Sequence, residues 1–302
     1  MDIPGSKELW PTIPAGGAQA YFDRSKIENT IEDIIVRVQQ NEEPAPDKPV
    51  TITADWIKGS GGHNHNAGND LKKPPKEKMG WIVNVEEADS SRGELATTTN
   101  GNGQIHLRYR APEFGGQVKL IAQTINTQGD ILSTDDQLTV RVPELVPLTD
   151  ANIYEKIGGT PSHHGPRLDT SYPNSRSPDN NHWINETVGA ILVSFSITYA
   201  EQFPKSPAVR YNDISLPSGG RFDINGRGSG SHTLHRLGQN VDVRTSPPQD
   251  DGILLINIEE IRDVIQEIDP NATVEEHGSI WTDQDGTRHD TRHFHIDFEI
   301  FN

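Results

Sequence analysis

Ser231-His232-Thr233-Leu234-His235-Arg236-Leu237-Gly238-Gln239-Asn240-Val241-Asp242-Val243 and Arg292-His293-Phe294-His295-Ile296-Asp297-Phe298 are the stretches that decide the C-terminal half. The second alternates polar and apolar residues, the period of a strand with one buried face. His293 and His295 therefore share a face, with Asp297 next along it. In the first, Val241-Asp242-Val243 reads as a strand whose carboxylate points away from two buried valines. His235 precedes it across a turn containing Gly238, and such a loop can return the ring to Asp242. Two imidazoles and one carboxylate are a suitable three-ligand set for a catalytic zinc, whose fourth position stays open. A metal so held lowers the pKa of its water toward about 7, and a nearby base can then take the proton.

Helices flank these stretches. Apolar residues at 188, 191, 192, 195 and 199 recur at helical spacing and predict a helix over Asn185–Gln202. Ile258, Ile261, Ile265 and Ile268 predict another over Asn257–Asp269, opened by an Asn257/Glu260 capping box and stopped by Pro270. Residues 150–185 carry Pro, Gly, Asn, Ser and His with little period and read as a long connection.

Upstream the texture is that of short strands. Ile34–Val38, Pro49–Asp55, Trp81–Val85, Glu94–Thr99, Gln104–Tyr109, Gln117–Thr124 and Gln137–Val142 are separated by turn residues such as Asn100-Gly101-Asn102-Gly103. That spacing predicts a β-sandwich. The first 26 residues hold no sustained period and read as an arm.

Two resemblances follow from these residues. Val36–Thr53 followed by Thr97-Thr98-Thr99-Asn100-Gly101-Asn102-Gly103 is similar to bacterial immunoglobulin-like modules of the invasin type. His-x6-Asp with a distant His-x-His resembles the LAS metallopeptidases, which include lysostaphin-type, D-Ala-D-Ala-type and hedgehog-like zinc domains. Within that group, three blocks are similar in order to the penicillin-insensitive murein endopeptidases. They are Asn212-Asp213-Ile214-Ser215-Leu216-Pro217-Ser218-Gly219-Gly220-Arg221-Phe222-Asp223, His232-x-x-His235-x-x-Gly238-x-x-x-Asp242, and His293-Phe294-His295. The resemblance implies one Zn2+ per chain on His235, Asp242 and His295, with His293 as the catalytic base beside it. It makes His232 a pocket residue, although that side chain could equally cap a turn. His289 stands roughly where the family often has a further histidine. Arg210 and Arg221 are candidates by residue type alone for steadying the oxyanion.

The expected organisation is a two-domain chain. An arm (1–26) precedes an all-β immunoglobulin-like sandwich (27–146) and a C-terminal α+β LAS-type metallopeptidase domain (150–302) with a small antiparallel sheet. The expected activity is a zinc-dependent peptidoglycan peptidase, a murein endopeptidase cutting peptide cross-links. The alternatives are a catalytically inactive zinc-binding or adhesion protein, and a D,D-carboxypeptidase using the same site. Peptidoglycan or related peptides are the expected partners, with a wall or protein ligand for the sandwich.

Composition narrows the field. Lys and Arg number 27 against 44 Asp and Glu, a net charge of −17 over 302 residues. Such a chain is a poor phosphate neutraliser, which argues against nucleic acid. No cysteine is present, so disulfides, thiolate nucleophiles and Cys-based metal sites are excluded. The apolar run near Val188–Val193 falls short of the roughly 20 residues of a membrane helix. The start, Met1-Asp2-Ile3-Pro4-Gly5, has no basic n-region or apolar h-region, so it carries no Sec signal of its own. A wall enzyme is expected outside the cytoplasm, secreted, periplasmic or in the cell wall, from a signal placed upstream; an intracellular location stays open. Gly61-Gly62-His63-Asn64-His65-Asn66 lacks a carboxylate and reads as a loop tip. His163-His164 and Asn181-His182-Trp183 read as solvated loop.

Overall fold

The structure is a computed structural model that describes residues 8–12, 31–57, 60–62, 79–149, 151–156, 182–221, 235–244, 256–277, 280–282, 288–290 and 292–298. Strands predominate among these residues, with two α-helices. The first eleven strands are β1 (Glu8–Leu9), β2 (Ile31–Arg37), β3 (Gln39–Gln40), β4 (Glu43–Pro44), β5 (Pro49–Trp56), β6 (Trp81–Asn84), β7 (Ser90–Arg92), β8 (Glu94–Thr98), β9 (Gln104–Arg110), β10 (Gly116–Ile125) and β11 (Ile131–Val140). Two larger sheets arise, in the orders β1-β11-β10-β5-β8 and β2-β9-β6-β7, and β3 and β4 pair in a two-stranded ladder.

Alternation explains how these sheets share one core. Val50, Ile52, Ala54 and Trp56 of β5 point inward, as do Val118, Leu120 and Ala122 of β10. Ile105, Leu107 and Tyr109 of β9 meet them from the other sheet in one apolar cluster. Period-2 burial of this kind makes register costly to slip, because a one-residue shift would expose the whole set. The arm expected over 1–26 contributes more than a lead-in. Glu8 and Leu9 pair in parallel with Thr139 and Val140, and Leu9 is buried in the shared core.

The second set of elements is β12 (Leu145–Pro147), β13 (Tyr154–Lys156), β14 (Trp183–Asn185), α1 (Glu186–Gln202), β15 (Val209–Tyr211), β16 (Asn240–Arg244), α2 (Ile258–Ile268), β17 (Thr273–His277), β18 (Ile280–Thr282), β19 (Arg288–Asp290) and β20 (His293–Asp297). Asn185 caps α1, accepting from the Thr187 amide, and Asn257 caps α2, accepting from the Glu259 amide. The expected reciprocal half of the α2 capping box is diverted, because Glu260 takes a hydrogen bond from the Tyr199 hydroxyl on α1.

A five-stranded sheet runs β13-β15-β16-β20-β17. It is mixed, where a purely antiparallel sheet was expected, since β13 pairs with β15 in parallel. One face carries Tyr154, Val209, Tyr211, Val241, Val243, Val274, Phe294 and Ile296, which pack with Val188, Leu192, Phe195 and Tyr199 of α1 and with Ile261, Val264 and Ile265 of α2. Both helices therefore cover one face. The opposite face collects the polar alternates: Asn240, Asp242 and Arg244 of β16, His293, His295 and Asp297 of β20, and Thr273, Glu275 and His277 of β17.

The two cores meet at a short junction. Phe114, from the first core, forms a β-bridge to Gly220, and the Val142 amide donates to the Ser218 carbonyl. Val142 and Leu237 make a small apolar cluster there, with Leu145 against it. No helix among the described residues is long and apolar enough to cross a membrane.

Candidate metal centre

Strand register assembles the site. Asp242 on β16 lies directly opposite His295 on β20, so both side chains leave the same face of adjacent strands. His295 Nδ1 is 3.0 Å from Asp242 Oδ1. His235 reaches the same oxygen from the turn before β16, with Nε2 3.3 Å away. The three ligand-type atoms lie within 4.8 Å of one another and all three residues are buried. The structure thus brings His235, Asp242 and His295 together.

His235 is oriented by the backbone. Its Nδ1 faces the carbonyl oxygens of Ile214 at 3.0 Å and Asn240 at 3.2 Å. A carbonyl only accepts, so Nδ1 carries the proton and Nε2 of the neutral ring presents a lone pair. That lone pair confronts a carboxylate oxygen where both side chains are 2% exposed. Two electron-rich atoms so placed require a cation, either a proton on Nε2 or a metal ion. Burial works against charge on Asp242, yet His235, His295 and His293 outweigh it and hold the carboxyl well below its usual range. For His235, burial pulls the ring down, while Asp242 and Asp213 more than offset that and raise it. The donor set fits a metal. Neighbouring ligands in a tetrahedral shell with bonds near 2.0–2.1 Å sit about 3.3 Å apart, close to both distances at Asp242 Oδ1.

The Asn212–Arg221 block builds the wall behind His235. The Asn212 amide donates to the Asp242 carbonyl and the Asp242 amide to the Asp213 carbonyl, which extends β16 into the block. Ile214 supplies the carbonyl on His235 Nδ1. Gly219 is required by space. It sits at φ +63°, and a Cβ there would fall 2.6 Å from Val142 Cγ2 and 2.8 Å from the Arg236 carbonyl. Gly219→Ala should therefore cost about 1–3 kcal/mol, the usual scale for backbone strain of this kind, read as a lower unfolding midpoint in denaturant. An unchanged midpoint would show that the block can yield.

His293 stands beside this cluster on the other carboxylate oxygen, with Nε2 3.7 Å from Asp242 Oδ2 and its side chain 23% exposed. His277 joins it, a residue the sequence reading did not single out. It lies opposite His293 across β17 and β20, its ring 5.9 Å from that of His293 and 5.3 Å from that of His295. Its Nε2 is 3.2 Å from Glu275 Oε2. Asn240 was also missed; its carbonyl meets His235 Nδ1 and its amide nitrogen lies 3.4 Å from His295 Nε2.

Other candidates stand elsewhere. His289 lies in β19 opposite Trp281, in a two-stranded ladder separate from the site's sheet. His232, the His289 side chain, His63, His65, His163 and His164 lie outside the described residues. Arg210 pairs with Glu155 at 3.0 Å and Arg221 with Glu113 at 3.2 Å, so both are committed to ion pairs. His182 corrects an expectation. It is buried, bridges to Ser215 and places Nε2 3.1 Å from the Tyr211 carbonyl, because the chain entering β14 passes under the 212–216 segment.

No family model, curated protein or solved structure matches the chain.

Proposed function

We propose that the chain is a zinc-dependent peptidoglycan peptidase, a murein endopeptidase that hydrolyses peptide cross-links. The observation that carries this reading is an imidazole, His293, standing on the outer oxygen of Asp242 beside the buried His235–Asp242–His295 cluster. A site serving only to hold a structural ion needs no such base and would more usually close with a fourth protein ligand.

His235 Nε2, Asp242 Oδ1 and His295 Nδ1 would hold the ion. Zinc bound there would polarise the scissile carbonyl and acidify an attacking water. His293 would serve as the base, accepting a proton from the attacking water and passing it to the leaving amine. Asp242 keeps the negative charge at the cluster, and the backbone carbonyls of Ile214 and Asn240 keep His235 in the tautomer that offers Nε2. The β-rich N-terminal unit, read as immunoglobulin-like, would place the enzyme on the wall or on a protein ligand outside the cytoplasm.

Purified cross-linked muropeptides, incubated with the full chain with and without chelator and read by mass, test the proposal. Chelator-sensitive conversion of dimers to monomers is expected. Loss of a single terminal alanine from monomers would reassign the chain as a carboxypeptidase. Unchanged muropeptides beside a stoichiometrically bound metal would make it a binding protein.

A further inference from the structure

Arg236 follows His235 directly in sequence and is 3% exposed. A guanidinium buried that far needs a countercharge, and among the described residues no carboxylate of the second core pairs with it. Glu113 of the first core does: its Oε2 lies 3.4 Å from both Nη1 and Nη2 of Arg236. The same oxygen receives Arg221 Nη1 at 3.2 Å. Burial and the neighbouring Arg221 both work against the charge on Arg236, and Glu113 opposes them.

Backbone contacts make this a built joint rather than a loose surface pair. The Arg221 amide donates to the Glu113 carbonyl at 2.7 Å, and the Gly220 amide donates to the Arg236 carbonyl at 2.8 Å. Phe114, next to Glu113, is fully buried in the first core and packs edge-on against Trp56. Gly115 has its missing Cβ position 2.3 Å from the Ser218 carbonyl, so the two segments touch backbone to backbone. A continuous path runs from the first core through Phe114 and Glu113 to Arg236, and one residue further stands His235.

We propose that Glu113 is a positioning residue of the metal centre: through Arg236 it fixes the turn that presents His235, so the N-terminal unit completes the site without contributing a ligand. This rests on the metal reading of His235, Asp242 and His295. Outer-shell partners of metal ligands typically account for about 10–100-fold in metal affinity. Glu113→Gln removes the charge, keeps the size and leaves a buried arginine uncompensated.

The full chain and Glu113→Gln are compared by zinc competition against a chromogenic chelator, at a temperature where circular dichroism shows both folded. The Co2+-loaded forms are compared by visible absorption, which reports ligand geometry and not global stability. Zinc binding weakened by roughly 10–100-fold, with an altered Co2+ spectrum, is expected. In an Arg236→Gln background the same substitution should change affinity less than twofold, because the group through which Glu113 acts is gone. A folded Glu113→Gln chain with parental affinity and spectrum would overturn the proposal, as would additive effects in the double variant. If the parent itself binds no metal, the metal reading fails instead. Should Glu113→Gln not fold, Arg236→Lys is read in the same way. It keeps the charge but loses the two-pronged contact, and parental zinc affinity in it would equally overturn the assignment.

Discussion

Asp242→Ala should leave the chain unable to retain the metal that the parent takes up. Both imidazoles lean on one oxygen of this carboxylate, His295 at 3.0 Å and His235 at 3.3 Å, and it is the negative charge common to them. Without it, two neutral rings face a dication in a site that is nearly closed to water. The loss should exceed the roughly 10–100-fold that outer-shell changes produce. Asp242→Asn separates charge from shape: it keeps the volume and part of the hydrogen bonding, yet should also release the metal. Elemental analysis after desalting reads both variants, and full occupancy in either would remove Asp242 from the ligand set. The parent's affinity should also fall as pH drops from 8 toward 5.5. Asp242 holds His235 above the ordinary imidazole value of about 6.5, so a proton competes with the metal for Nε2, and the proton gains as pH falls. A flat affinity across that range would mean that His235 is not a ligand.

What could be read in the sequence, and what could not, follows from how local each signal is. The stripe at Val188, Leu192, Phe195 and Tyr199 is set by the helical period alone, and all four are buried in α1. The valines flanking Asp242 likewise fix which way its carboxylate points, within a single strand. The first half of β11 gave no such signal, because Ile131–Asp135 is exposed on both faces and owes its conformation to pairing with β10. β1 is two residues long and is held by one buried leucine, too little for any period to register. His277 was hidden for a related reason. Its nearness to His293 is a cross-strand register between β17 and β20, and Thr273–His277 buries only Val274 fully, so its alternation is faint. His182 and Glu113 depend on contacts across the chain. His182 lies 29 residues from its carbonyl partner, and Glu113 lies 123 residues from Arg236. Residue type and spacing show which groups could converge; only the fold decides which further groups steady them.

His293→Ala should keep the metal and lose hydrolysis. The ring stands on Asp242 Oδ2, whereas the two ligand-type imidazoles share Oδ1, so its removal leaves the three converging atoms in place. It is also the more open of the β20 pair, 23% exposed against 7% for His295, so part of its ring meets solvent. A base so placed typically contributes about 10²–10⁴-fold, and turnover on muropeptides should fall by that order with zinc stoichiometry unchanged. His277→Ala is the matched control. It deletes a neighbouring ring of the same face, 5.9 Å from His293 between centroids, without touching the carboxylate in any contact described. If His293→Ala keeps parental turnover while His277→Ala loses it with zinc still bound, proton transfer belongs to His277.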